Sequence, residues 1–173
     1  RAYQQVPVAI TVEGANILTR SLILFGQGAI RCHPFVLKEM DAARAGELKA
    51  FDTAFWGHVG YTLSNAARAM VMGLTGSHFV SVPSDVAPET RRYYQQLTRF
   101  SAAFAFIADL SMGTLGGALK RKEKLSARLG DILALMYLAS ATLKRFEDEG
   151  RQVADAPLMQ WAIWDCMFKI QLA

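Results

Sequence analysis

Long stretches in which apolar residues return every three or four positions alternate with short breaks rich in Gly and Pro, and this alternation leaves room for little but helices. From Glu47 to about Met72, the residues Leu48, Phe51, Phe55, Val59, Leu63, Ala66 and Met70 form one stripe. A second pattern, restarting at Pro88 and running to about Leu119, carries Leu97, Phe100, Phe104, Ile107, Leu110 and Leu115. A third, Leu125 to Glu149, carries Leu129, Ile132, Leu133, Met136, Leu138 and Leu143, and Gly150 stops it. The last opens at Asp155 and Pro157 and carries Leu158, Trp161, Ile163, Trp164, Met167, Phe168 and Ile170. So much aromatic surface is expected to pack on earlier helices or on further polypeptide. Gly73–Ala87 has Gly73, Gly76, Pro83, Ser84 and Asp85 and no stripe, so it reads as a surface loop. Gly116-Gly117 and the charges from Lys120 to Lys124 read as a turn with a solvated tip. Strand signals are scarce and nothing repeats. Five or six helices result, which makes the fold class all-α, a helical bundle.

The beginning of the chain is less regular. Arg1–Glu13 reads as extended or loop-like, with Pro7 opposing helix. Asn16 is suited to cap a helix, because its side chain takes up a backbone N–H. The helix after it carries Ile17, Leu18, Leu22, Ile23, Phe25, Ala29 and Ile30 over more than one face, so burial is expected. His33-Pro34 breaks it, since the residue before Pro avoids the helical region. Pro34 then opens a short helix to Ala45, stopped at Gly46.

Composition narrows the function classes. The 173 residues suffice for one domain with a real core. Beginning at Arg1 and ending within an apolar pattern, the chain is expected to be a piece of a longer polypeptide. No signal-peptide layout opens it, and no window of about 18 residues stays apolar without a charge, so a membrane span is not expected. The net charge of +4 fits ordinary solubility and also an anionic ligand, without selecting either. Cys32 and Cys166 lie far apart with no metal spacing and are expected to stay reduced in the cytoplasm. His33, His58 and His78 have no Asp or Cys at ligand spacing, so no metal site is expected. No Gly-x-Gly-x-x-Gly follows a strand, which argues against a Rossmann nucleotide site. The aromatic residues sit on helix stripes and read as core, so no nucleic acid partner is expected.

Glu13-Gly14 stands at the mouth of the first helix pattern. A carboxylate there has two readings: favourable electrostatics with the exposed N–H groups, which is the commoner, or a working acid or base. Gly14 is either a turn residue or room for a substrate to approach the backbone.

The wording of that stretch adds to the spacing. Thr11-Val12-Glu13-Gly14-Ala15-Asn16-Ile17-Leu18-Thr19-Arg20 resembles the catalytic segment of flavin-dependent acyl-CoA dehydrogenases. With Phe25-Gly26-Gln27-Gly28-Ala29-Ile30-Arg31-Cys32-His33-Pro34 it looks most like the large bacterial fatty-acyl-CoA dehydrogenases of the FadE type. The similarity continues through Leu115–Arg121, Leu125–Asp131 and Glu147-Asp148-Glu149-Gly150-Arg151. The resemblance implies a C-terminal part of such an enzyme. Residues 1–45 would end the catalytic helical domain and 46–173 would form a helical extension packed on it.

The implied reaction is α,β-dehydrogenation of a fatty acyl-CoA to the trans-2-enoyl-CoA, the first step of fatty acid β-oxidation, with FAD as cofactor. Glu13 matches the catalytic base, and its backbone N–H would help hold the thioester oxygen. Gly14 matches a substrate-contacting position. Ala15, Asn16 and Ile17 match positions that touch flavin, with Ala15 replacing the commoner Thr and so losing a hydroxyl contact. The resemblance further implies electron-transfer flavoprotein or a similar acceptor as partner, a homo-oligomer formed through the helical domain, a cytoplasmic location and contact with a membrane surface. The competing expectation is a non-catalytic helical interaction or oligomerisation module.

Overall fold

The computed structural model describes residues 27–173, and every regular element in them is helical. In order these are α1 (Gly28–Cys32), α2 (Val36–Ala45), α3 (Leu48–Leu74), α4 (Arg91–Leu115), α5 (Glu123–Asp148) and α6 (Ala156–Leu172). Short 3-10 turns occupy Gly116–Arg121 and Val153–Asp155. The all-α class read from the apolar spacing is the class observed.

Local chemistry sets where the helices end. His33 is extended, with ψ 133°, because Pro34 follows it. The C-terminal ends of α2, α3 and α5 share one geometry. Gly46, Gly76 and Gly150 have φ of 73°, 59° and 84°, a region that a Cβ disfavours. The next residue then turns its N–H back onto the helix: Glu47 to the Ala42 carbonyl at 2.9 Å, Ser77 to Met72 at 2.8 Å and Arg151 to Phe146 at 2.9 Å. Carbonyls that the helix leaves open are satisfied in this way.

The chain divides into two units, residues up to Val59 with Ser111–Gly130, and Gly60–Leu110 with Asp131–Ala173. In the first unit the Phe35 ring packs against Gly57 of α3. A Cβ built at Gly57 would lie 2.5 Å from Phe35 Cε1, so the missing side chain is what admits the ring. Ser126, buried near the start of α5, donates its hydroxyl to the Leu119 carbonyl at 2.9 Å and ties down the 3-10 turn. The exposed charges from Arg121 to Lys124 follow it, as a solvated tip should.

In the second unit three helices share one core. Leu97 of α4, Ala139, Leu143 and Phe146 of α5, and Met159, Ile163 and Cys166 of α6 cluster, with Tyr93, Tyr94 and Leu135 packed around them. On α5 and on α6 the core positions recur at four and then three residues, which keeps them on one side of a 3.6-residue helix.

Three readings of the sequence need correction. The stripe assigned to α3 is not its buried face: Leu48, Phe55, Leu63 and Met70 are exposed, while Ala54, Asn65 and Met72 are buried. α3 has apolar residues on opposite sides, and spacing alone does not say which side meets protein. The aromatic end behaves likewise, since Met159, Ile163, Cys166 and Ile170 are buried whereas Trp161, Trp164 and Phe168 point outward. The segment read as a surface loop is anchored at both ends, with Ser77 and Ala87 both buried. In addition, the stretch Arg91–Leu119 is long and apolar enough by length and composition to cross a membrane. Within it Gln95, Leu97, Ala102 and Ala108 are buried against protein, as in the packed helix of a water-exposed domain.

Leu143 lies at the centre of this core, with no exposed surface, whereas Leu138 on the same helix is 54% exposed. Leu143→Ala should cost about 2–5 kcal/mol, and Leu138→Ala about 0.5 kcal/mol or less. Urea unfolding midpoints of the two variants, at unchanged slope, check the assignment.

Candidate functional site

Glu13, Gly14, Ala15, Asn16 and Ile17, together with Arg20, lie outside the described residues. Description resumes within the second half of the same segment, where Gly28–Cys32 form α1 and His33 closes it.

His33 does more than end a helix. Its Nδ1 accepts the backbone N–H of Phe35 at 3.2 Å and of Val36 at 3.1 Å, so the imidazole caps the start of α2. A nitrogen that accepts two N–H groups carries no proton, which places the ring proton on Nε2. That tautomer makes Nε2 a donor, so His33 in this state is set to hold the chain and not to ligate a cation. The His58 ring lies 4.5 Å from the His33 ring, centroid to centroid, and stacks on Phe35 at 6.1 Å and 10°. His58 Nδ1 is 2.8 Å from Glu39 Oε1, with both side chains largely buried. The Gly57 notch, Phe35, His33 and the His58–Glu39 pair thus fix the junction between α1, α2 and α3, directly after the segment that carries Glu13.

A second polar centre lies in the other unit. Glu147, near the end of α5, accepts the Ala87 N–H at 3.1 and 3.3 Å, the Thr90 hydroxyl at 2.6 Å and Arg151 Nε at 2.6 Å. The left-handed turn at Gly150 and Arg151 brings the guanidinium back over the helix, where it also donates to the Asp85 carbonyl. Only 12% of the Glu147 side chain is exposed. Burial by itself pushes a carboxyl up, but the hydrogen bonds from Thr90, Ala87 and Arg151 outweigh it and hold Glu147 below the ordinary carboxylate value. Nearby, burial first and then the charges of Glu147 and Asp148 push the Tyr94 phenol up. Asp109, also buried, takes the Thr62 hydroxyl at 2.9 Å.

Residues 30–173 match the family described as acyl-CoA dehydrogenase, C-terminal, bacterial type. The chain belongs to that family. No solved structure matches it.

A C-terminal domain of an acyl-CoA dehydrogenase can be tested for surfaces that suit its parent's ligands. In the second unit a cavity of about 260 Å³ sits between the end of α5 and the start of α6, floored by Phe146, Leu158, Met159 and Ala162. Its rim holds Glu149 and Asp155, and its one cation, Arg145, is paired with Glu149 at 3.0 Å. Two carboxylates facing a single neutralised cation do not suit the diphosphate of coenzyme A or of a flavin dinucleotide. In the first unit a hollow of about 530 Å³ carries Lys38 and Lys49, but it is open and also holds Glu47. The described residues of this acyl-CoA dehydrogenase domain therefore provide no built flavin cradle, and no chemical step is assigned to them.

Sequence reasoning placed the helix break at His33-Pro34 and missed the capping role of His33. It quoted the Glu147–Arg151 stretch only for its resemblance. The acid four residues before an Arg that follows a helix-ending Gly was the available signal, because a left-handed turn folds such an Arg back onto its helix.

Glu147→Gln keeps the shape but loses the charge that three donors share. It should destabilise the fold by about 1–3 kcal/mol. With a folded-state pKa below the unfolded value, the Glu147 contribution is complete above the ordinary carboxylate value of 4.5 and is lost as pH falls through the lower, folded value. In wild-type protein, thermal melts stepped downward in pH through that window should show this loss, and in Glu147→Gln that part of the acid sensitivity should be absent. At the other junction, Gly57→Ala should lower the melting temperature, and Phe35→Leu added to it should recover part of the loss by removing the ring that the new methyl meets.

Proposed function

We propose that this chain is the C-terminal part of an FAD-dependent fatty-acyl-CoA dehydrogenase and contributes its catalytic base, Glu13. The reading is carried by the family match over residues 30–173, which begins just after the segment bearing Glu13 and covers the motifs that follow it. The substrate is a fatty acyl-CoA and the product its trans-2-enoyl-CoA. Glu13 removes the weakly acidic proton from the carbon beside the thioester, and its backbone N–H steadies the thioester oxygen as charge builds there. Gly14 lets the substrate approach the chain closely. Ala15, Asn16 and Ile17 lie toward the flavin, with backbone contacts in place of the hydroxyl that Ala15 lacks. Bound FAD supplies the acceptor for the hydride that leaves the β-carbon.

The division at residue 45 belongs to the same proposal, as do electron-transfer flavoprotein as acceptor and a cytoplasmic enzyme that meets the membrane surface. The fixed junction around His33, Phe35 and His58 supports the reading by giving the segment before it a rigid seat, which a precisely placed base requires. The chain by itself is proposed to be inactive, since most of the flavin and acyl-CoA contacts are supplied elsewhere in the parent enzyme.

A second reading, a helical interaction module without catalytic residues, is favoured by the exposed apolar sides of α3 and α6. In the intact enzyme Glu13→Gln separates the two. Under the dehydrogenase reading turnover should fall by about 10²–10⁴ while acyl-CoA binding changes little. Near-normal turnover in that variant would place the base elsewhere and leave the module reading standing.

A further inference from the structure

The outward side of α3 repeats at 3.5 residues. Gly60, Leu63, Ala67, Met70 and Leu74 follow one another at intervals of three, four, three and four, and all five are exposed. The large ones are well exposed, Leu63 at 65%, Met70 at 63% and Leu74 at 84%. Asn65 and Met72, on the opposite side of the helix, are the buried ones. A regular 3.5-residue seam along about 22 Å of helix is the pattern that a second helix fills by knobs-into-holes packing. Arg68 is the only Lys, Arg, Asp or Glu between Gly60 and Leu74, so no buried charge opposes such packing.

The order of sizes along the seam selects the occupant. With a second α3 laid antiparallel about a twofold axis at the height of Asn65, Leu63 meets Ala67 of the other copy and Met70 meets Gly60. Each large side chain then stands opposite a small one, and the reverse pairs repeat across the axis. A parallel copy would set large against large and Gly against Gly, leaving voids between crowded layers. A lipid surface requires neither the 3.5-residue repeat nor the alternation of sizes. A surface that complements itself is the mark of an isologous dimer.

We propose that α3 pairs antiparallel with α3 of a second copy of this chain through Gly60, Leu63, Ala67, Met70 and Leu74. The pairing is independent of the catalytic reading and stands or falls without Glu13. Two heptads make a small interface, so the dimer is concentration-dependent.

Sedimentation of the full 173-residue chain over about a hundredfold range of concentration tests it. The wild-type chain should pass from monomer to dimer. Leu63→Glu and Met70→Glu should each weaken dimerisation by about tenfold or more, with helix content and melting temperature preserved because both sites are exposed. A chain that stays monomeric throughout, or a dimer indifferent to both variants, would overturn the proposal. Orientation is read separately in a Cys32→Ser background. Leu63→Cys mixed with Ala67→Cys should form the mixed disulfide faster than either variant links to itself. Faster self-linking of Leu63→Cys would overturn the antiparallel arrangement.

Discussion

One carboxylate ties together the parts of the second unit that helix propensity alone would leave loose. Glu147 receives a backbone N–H from the end of the 75–90 connection, a hydroxyl from the first turn of α4 and a guanidinium from just beyond its own helix. Those donors are exposed to solvent in an unfolded chain and brought to one point only in the fold. The penalty of burying the charge is offset because every approach to it is a hydrogen bond. The Leu143–Ile163 core supplies the bulk of the apolar burial, and Glu147 fixes how α4 enters beside it. The left-handed end of α5 is part of the same device, because without the turn at Gly150 the Arg151 side chain would run onward and not back.

The helical class and most helix ends were legible because they follow from local rules. Pro34 forces its neighbour out of the helical region, and Gly46 and Gly150 accept a backbone conformation that other residues resist. Burial was less legible. On α3 and α6 apolar residues lie on two opposite sides, so a count of three- and four-residue spacings finds a stripe but does not say which side faces protein. Leu63 and Met70 were assigned inward and lie outward, whereas the inward side includes Asn65, a polar residue that no hydrophobic pattern selects. The roles of His33 and Glu147 were illegible for a related reason. Each depends on backbone groups whose orientation is set by a turn, and turns do not appear in hydrophobic periodicity.

The catalytic segment rests on a different kind of inference. Its residues were singled out by wording, and the family match over 30–173 supports the wider assignment. The described structure contributes the junction that follows, in which a deprotonated imidazole nitrogen caps α2, a phenyl ring fills the notch at Gly57 and His58 pairs with Glu39. Such a junction restricts how the chain enters the domain. It carries neither the charge pattern nor the volume to hold a dinucleotide.

The two-sided character of α3 has a consequence for the life of the chain before assembly. A newly made copy presents Leu63, Met70 and Leu74 to the cell with nothing over them. Such a surface is what chaperones and degradative enzymes read as an incomplete product. Cellular abundance would then follow how quickly copies encounter one another, so that synthesis rate and quality control, more than intrinsic folding, set how much of the protein persists.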